Sequence, residues 1–111
     1  MIWLEIISIR TVEANKVFAT YREMLQSLAD ENLVNLAVFC NTKYPTDISI
    51  HLQWKSNPGS GSVLARQVRS ALEELGLVSH TLWAQRDEVR RGDALQTLPA
   101  SPVASVGRVK S

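Results

Sequence analysis

Apolar and polar residues recur along this chain with two different periods. The clearest period of two runs through residues 47–54, where the apolar positions are Ile48, Ile50, Leu52 and Trp54. The positions between them are polar and consist of Ser49, His51 and Gln53. Such alternation is typical of a β-strand with one face packed against other elements. Residues 2–10, 33–40 and 77–85 are rich in β-branched and bulky side chains and predict three more strands.

Two segments between these strands carry apolar residues at spacings of three and four, which predicts amphipathic helices. In residues 13–30 the apolar stripe consists of Ala14, Val17, Phe18, Tyr21, Leu25 and Leu28. In residues 63–75 it consists of Leu64, Ala65, Val68, Ala71, Leu72 and Leu75. Ser62 suits the N-cap of the second helix, and Gly76 suits its C-terminal cap.

The resulting order, strand-helix-strand-strand-helix-strand, predicts an α+β fold made of two strand-helix-strand halves. Its simplest form is a four-stranded antiparallel sheet in the order 4-1-3-2 with both helices on one face, the ferredoxin-like fold. Residues 1–85 are assigned to this single domain. From Arg86 the apolar periodicity stops, and Pro99 and Pro102 follow. Residues 86–111 are therefore predicted to be a flexible C-terminal extension.

The sheet face without helices is predicted to carry Trp3, Ile7 and Ile9 of the first strand beside the polar side of the third. A contiguous apolar patch of this kind favours burial against a second copy of the chain. We therefore expect a two-fold homodimer in which two sheets face each other.

Composition argues against several classes of partner. Lys and Arg number 12 and Asp and Glu number 11, for a net charge of +1. The chain therefore lacks the electrostatic field that binds nucleic acid or an anionic membrane, and neither is an expected partner. No apolar run approaches the roughly 20 residues of a membrane span. With Cys40 as the single cysteine and no signal-peptide pattern at the start, a cytoplasmic location is predicted.

Three segments resemble the dimeric α+β barrel group that includes the antibiotic-biosynthesis monooxygenase-like domains. They are residues 2–10, IWLEIISIR; residues 48–54, ISIHLQW; and residues 76–83, GLVSHTLW. The resemblance spans residues 2–85 and implies the fold and the dimer given above. Members of the group include cofactor-independent oxygenases, haem-degrading enzymes and isomerases, so the resemblance does not by itself fix a reaction.

Glu5 is the first candidate for chemistry, because a charged residue inside an otherwise apolar central strand needs a partner. In the predicted strand order its neighbours are His51 and His80. Glu5 and His51 are predicted to form a catalytic pair that deprotonates an aromatic or quinol-like substrate, with Ser49 and Gln53 donating to the developing oxyanion. The alternative is that Ser49, His51 and Gln53 line the two-fold interface without catalysis.

Glu5, His51 and His80 also have the composition of a facial metal triad, but they come from separate strands without a spaced motif. The favoured interpretation is a hydrogen-bonded polar cluster at the dimer interface, and no metal is predicted.

Trp54 is similar to a tryptophan of the haem-degrading members, but the second helix lacks a histidine for haem iron. Haem is therefore not predicted, and Trp54 is expected to cap the core. Residues 59–62 lack the lysine of a nucleotide-binding loop and are interpreted as a connector.

The sequence thus predicts a small cytoplasmic homodimer that binds a small, partly aromatic molecule, with monooxygenase-like activity and no cofactor. The candidates for contact with the ligand or with the partner copy are Ser49, Gln53, Trp54 and His80. The alternative function is a non-catalytic accessory or assembly module that acts through its dimer surface and basic extension. The two functions differ in whether a cavity reaches Glu5 and His51.

Overall fold

The computed structural model describes residues 1–25 and 30–92 of the 111-residue chain. Its elements are β1 (Trp3–Arg10), α1 (Ala14–Leu25), β2 (Leu33–Cys40), β3 (Asp47–Trp54), α2 (Val63–Leu72) and β4 (Leu77–Ala84). The strands form one antiparallel sheet in the order β2-β3-β1-β4. This is the predicted order read from the other edge, and the ferredoxin-like α+β arrangement is confirmed.

The helices pack on one face of the sheet. Every second side chain of β1 and of β3 points to that face. The buried apolar residues of the sheet are Ile7, Ile9, Ile48, Ile50, Leu52 and Trp54. They form one core with Val17 and Met24 of α1 and with Ala65, Val68 and Leu72 of α2. The alternation predicted for residues 47–54 is confirmed, since their four apolar side chains are buried and the intervening polar ones are not.

The buried stripe of α1 differs from the prediction at the C-terminal end of the helix. Met24 is 6% exposed, whereas Leu25, which the sequence pattern assigned to the stripe, is 44% exposed. Met24 follows Val17 by seven positions, or two helical turns, so both side chains lie on the face that meets the sheet. Leu28, the last residue of the predicted stripe, lies outside the described residues.

The sequence predicts the residue that caps α2 correctly at the N-terminal end but not at the C-terminal end. Ser62 is the N-cap as predicted, and its Oγ accepts a hydrogen bond from the Ala65 N–H at 2.9 Å. The prediction for Gly76 is wrong, because the C-cap is Glu73. Gly76 lies instead against the carbonyl group of Arg10, where a Cβ atom would overlap the oxygen. A glycine is needed there because two backbone segments approach each other closely.

We expect Gly76→Ala to lower the free energy of unfolding by about 3 kcal/mol, because backbone atoms rather than a movable side chain oppose the added methyl group. Gly92→Ala is the matched control, since nothing lies within 4 Å of a Cβ atom at that position. Chemical denaturation followed by circular dichroism measures both variants. A Gly76→Ala protein as stable as wild type would contradict the close approach to Arg10.

The orientation predicted for β1 is wrong. Trp3, Ile7 and Ile9 face the helices, since Ile7 pairs in register with Ile50 and Ile9 pairs with Ile48. Residues paired across antiparallel strands share a sheet face. The side chains of β1 on the opposite face, which we call the open face, are Leu4, Ile6, Ser8 and Arg10. The apolar surface that faces away from the helices is therefore built from other residues than predicted.

The chain remains attached to β1 for one residue beyond β4. The Gln85 N–H donates to the Ile2 carbonyl oxygen at 2.8 Å, and the Gln85 side chain accepts from the Ile2 N–H at 2.9 Å. Residues 86–92 are exposed, and residues 93–111 lie outside the described range. The domain boundary at residue 85 stays a prediction. Within the described part of the chain, no helix is both long enough and apolar enough to cross a bilayer.

Candidate functional site

Glu5 lies on the helix face of β1 and is 0% exposed. Its carboxylate is surrounded by hydrogen-bond donors. Trp54 Nε1 and Ser62 Oγ donate to Oε1 at 3.0 and 2.8 Å. The Ser62 N–H and His80 Nε2 donate to Oε2 at 3.1 and 2.6 Å. One buried carboxylate thus joins β1, β3, β4 and the start of α2.

Ser62 connects this carboxylate to α2. Its hydroxyl group accepts the capping hydrogen bond from Ala65 and donates its own proton to Glu5. The free N–H groups and the dipole at a helix N-terminus attract an anion. Here the anion is the Glu5 side chain of the same chain. The connector interpretation of residues 59–62 is therefore consistent with the structure, because the Ser62 amide is already used internally.

The protonation state of Glu5 follows from two opposing effects. Burial raises the pKa of its carboxyl group, because the charged form loses water. The hydrogen bonds from Ser62, His80 and Trp54 favour the charged form and outweigh burial, so the pKa lies below its ordinary value of 4.5. Glu5 is therefore a carboxylate at neutral pH, and it is saturated with donors and closed to solvent.

His80 projects from the edge strand β4 toward the same side of the sheet, in register with Ile7. Its side chain is 13% exposed. An ionised carboxylate only accepts hydrogen bonds, so we assign a proton to Nε2. In the neutral tautomer that carries this proton, the lone pair is on Nδ1. Gly61 packs on the ring edge, where a Cβ atom would stand 3.4 Å from His80 Cε1.

Glu5 and His51 lie on opposite faces of the sheet, so the catalytic pair predicted from the sequence is wrong. Glu5 pairs in register with Leu52, whereas His51 pairs with Ile6 on the open face. The proposed metal triad fails for the same reason. Among the described residues, no group of three His, Cys, Asp or Glu side chains could hold a metal ion. The cluster of Glu5 and His80 also lies under the helices, not on the face expected to meet a second copy.

The open face is a grid of rows, because the antiparallel register aligns residues of β3, β1 and β4. From one end of the sheet to the other, the rows are Asp47–Arg10–Leu77, Ser49–Ser8–Ser79, His51–Ile6–Thr81 and Gln53–Leu4–Trp83. Strand β2 adds Phe39 beside Ser49, Ala37 beside His51 and Asn35 beside Gln53. Three apolar side chains on this face are more than half exposed, namely Phe39, Leu77 and Trp83.

His51 is the imidazole of the open face. Its Nε2 lies 3.1 Å from Ser49 Oγ in hydrogen-bond contact, and its ring centroid lies 4.5 Å from that of Phe39. Burial lowers the pKa of His51 below the ordinary value of 6.5. The ring is therefore neutral at pH 7, with one nitrogen able to accept a proton.

A depression of about 550 Å³ lies next to this pair on the open face. Its lining includes the row of three hydroxyl groups from Ser8, Ser49 and Ser79. At one end it is bordered by Arg10 and Asp47, which form a two-point ion pair at 2.7 and 3.2 Å. The volume is within the range of small-molecule sites. Because the depression faces solvent, a second surface is needed to enclose a ligand.

The remaining candidates divide between the two sites. Trp54 is buried on the helix face and donates to Glu5, so it caps the core. Its prediction as a contact for the ligand or the partner copy is wrong, because it does not lie on the open face. Gln53 lies on the open face in register with Leu4, two rows away from the serine row. Sequence reasoning did not single out Ser62 as a partner of Glu5, nor Ser8 and Ser79 as lining residues. The residues around Ser62 in the sequence indicate its capping role. The other roles of these serines depend on how the strands are aligned.

Comparison with known proteins gives structural matches without sequence matches. No protein-family model and no curated protein matches the chain. A protein described as a putative antibiotic biosynthesis monooxygenase from Deinococcus radiodurans superposes with a TM-score of 0.63 at 13% identity, covering 81% of this chain and 97% of that one. The chain has the fold of the antibiotic-biosynthesis-monooxygenase-like proteins. The resemblance predicted from the sequence is confirmed at this level.

Two further structures have the same fold. SnoaB from Streptomyces nogalater, a cofactor-independent oxygenase, superposes with a TM-score of 0.58 at 12% identity, over 79% of this chain and 96% of that one. A monooxygenase from Streptomyces coelicolor, solved with the ligand nanaomycin D, gives 0.62 at 14% identity, over 79% and 90%. Identities this low establish a shared fold and carry no residue assignments to the site.

Proposed function

We propose that the protein is a homodimer that binds a small, partly aromatic molecule on the open face and oxidises it without a cofactor. One observation carries this proposal: neutral His51 contacts Ser49, which lines the 550 Å³ depression on that face. Glu5 has no place in this reaction, because it is buried on the other side of the sheet and its hydrogen-bond acceptors are occupied.

The dimer is supported by the apolar part of the open face. Phe39, Leu77 and Trp83 are 53%, 77% and 58% exposed. Trp83 lies beside Leu4 in the grid, and the row of Ile6 follows. Apolar surface of this kind is stabilised by contact with a complementary surface. A second copy in two-fold symmetry presents the same residues and would also cover the open side of the depression.

The proposed reaction begins with proton transfer. His51 accepts the proton of a phenolic or quinol-like hydroxyl group, either directly or through Ser49, and the hydroxyl groups of Ser8 and Ser79 donate to the oxyanion. The resulting anion is electron-rich, so O2 can oxidise it without a metal or a flavin. For a substrate in its enol form, whose keto tautomer has a ring CH2 group, O2 forms a C–O bond to that carbon and His51 returns its proton to the resulting peroxide. The remaining C–H bond and the O–O bond then break, so one oxygen atom stays as C=O and the other leaves as water. The oxygenases of the same fold support this reaction by analogy only.

We expect His51→Ala to lower kcat/KM at least 100-fold in an oxygen-consumption assay with an anthrone as the probe substrate, since a positioned base contributes about 10²–10⁴-fold. Glu23→Gln, an exposed change on α1, is the control and is expected to retain wild-type activity. Oxygen consumption by wild type that is unaffected in His51→Ala would exclude His51 as the base.

A non-catalytic assembly module is the second candidate, and the burial of Glu5 favours it. The depression on the open face does not reach that carboxylate, and the exposed aromatic residues of the open face also suit protein contact. Binding of a small aromatic ligand distinguishes the two functions. A dimer that binds anthrone-like compounds beside His51 supports the enzyme, whereas a dimer that binds none of them supports the module.

A further inference from the structure

The helix side of the sheet holds a pair of titratable groups that the proposed reaction does not use. His80 Nε2 is 2.6 Å from Glu5 Oε2, and the carboxylate is fixed from three other directions by Trp54 and Ser62. A histidine that donates one ring N–H to a fixed carboxylate has a defined tautomer and a fixed ring orientation. Among the described residues, nothing forms a hydrogen bond with Nδ1 of His80.

His80 lies on the edge strand of the sheet. Strand β4 ends the sheet, so no further strand covers its outer side, and the His80 side chain retains 13% exposure. Gly61, at φ +144, contributes no side chain over the ring. A larger residue at that position would stand against both His80 and Glu5, within 3.4 and 3.8 Å.

We infer that Glu5 and His80 form a second acid–base site, in which Glu5 positions the ring and His80 Nδ1 accepts a proton from a neutral phenolic or enolic hydroxyl group. The hydroxyl O–H bond breaks, its electron pair stays on oxygen, and the proton forms a bond to Nδ1. The positive charge then lies next to the Glu5 carboxylate. The same carboxylate disfavours anionic ligands, because the pair carries a net charge of −1 while His80 is neutral. Neutral hydroxyl donors are therefore the class of ligand that fits.

The test uses the full-length protein and the fact that His51 and His80 are its two histidines. Nitrogen-15 NMR of the rings is expected to show Nε2–H and an unprotonated Nδ1 for His80. Diethyl pyrocarbonate is expected to acylate His80 at Nδ1, with loss of ethyl carbonate and of the Nε2 proton. His51→Ala leaves this reaction unchanged, so mass spectrometry assigns it to His80. Absence of this reaction would show that Nδ1 is not available to a ligand.

Glu5→Gln tests the positioning role. The amide cannot accept every hydrogen bond that the carboxylate accepts, so the tautomer is expected to become mixed and acylation to slow by about tenfold or more. Phenol is the probe ligand, and its addition is expected to shift the His80 Nδ1 resonance of wild type and not that of Glu5→Gln. A His80 with Nδ1 protonated, a ring that does not react, or a resonance unaffected by phenol would each overturn the inference. If Glu5→Gln does not fold, the wild-type measurements alone decide.

Discussion

A Glu5→Ala variant is expected to lose about 4 kcal/mol of unfolding free energy, because removing one partner of a buried charged network leaves the others unpaired. Trp54 Nε1, the amide and hydroxyl groups of Ser62, and His80 Nε2 would lose their acceptor together. The N-terminus of α2 would also lose the anion next to its dipole. For a single domain whose total stability is of the order of 5–15 kcal/mol, this is a large fraction. Urea denaturation followed by circular dichroism measures the loss.

Glu88→Ala is the matched control for Glu5→Ala. Glu88 is also a carboxylate with two partners, since it accepts from Gln85 and Arg90, but its side chain is 45% exposed. Surface pairs contribute little, so we expect no measurable change in the free energy of unfolding. Equal small effects of the two substitutions would show that Glu5 does not organise the start of α2.

The contribution of Glu5 is also expected to depend on pH with a defined sign. A carboxyl group whose pKa is lower in the folded protein stabilises it at pH values above the unfolded pKa, near 4.5. That stabilisation disappears as the pH falls through the lower, folded pKa. The contribution of the Glu5 carboxylate to the stability difference between wild type and Glu5→Gln should therefore be fully present above pH 4.5 and shrink below it. A stability difference that grows toward acid pH would mean that the pKa of Glu5 is higher in the folded protein than in the unfolded chain, contrary to this expectation.

Ile6→Lys is expected to weaken the proposed dimer at least 100-fold, equivalent to about 2.7 kcal/mol. Ile6 lies on the central strand β1, between His51 and Thr81 in the grid of the open face. In a two-fold dimer each copy would bring an ammonium group into the same apolar contact, where unpaired like charges are costly. In the monomer the same side chain can extend into water. Sedimentation equilibrium over a range of concentrations measures the dissociation constant.

Glu23→Lys provides the control for the dimer experiment, since it introduces a lysine on the exposed side of α1. Its dissociation constant should match that of wild type. Circular dichroism of Ile6→Lys shows whether the fold survives the substitution. A folded Ile6→Lys protein that dimerises like wild type would place the dimer contact elsewhere on the surface.

The sequence contained enough information for the element order and for the face of β3. Its alternation is strict, so the placement of Ile48 and His51 on opposite faces follows from the period alone. Strand β1 lacked that signal, because bulky residues such as Trp3, Leu4 and Ile6 stand at both parities. Only the register with β3 decides which parity faces the helices, and that register is set by long-range packing.

The same limitation explains the outcome at the candidate site. Glu5 needed a partner, but its donors lie 49 to 75 positions away along the chain, and the assignment to His51 depended on the parity of β1. Ser62 was visible as a helix cap, and nothing local indicates that its free proton reaches Glu5. The row of Ser8, Ser49 and Ser79 exists only once three strands are aligned.

Native mass spectrometry of the purified full-length protein tests the central claim most directly, because it reports the subunit number and any retained small molecule together. The claim is that two open faces enclose a ligand beside His51. The predicted result is a dimer, at twice the 12.4 kDa of one chain, that binds an added anthrone, with binding weakened in His51→Ala. A monomer at micromolar concentration with no bound compound would contradict both the dimer and the enclosed site.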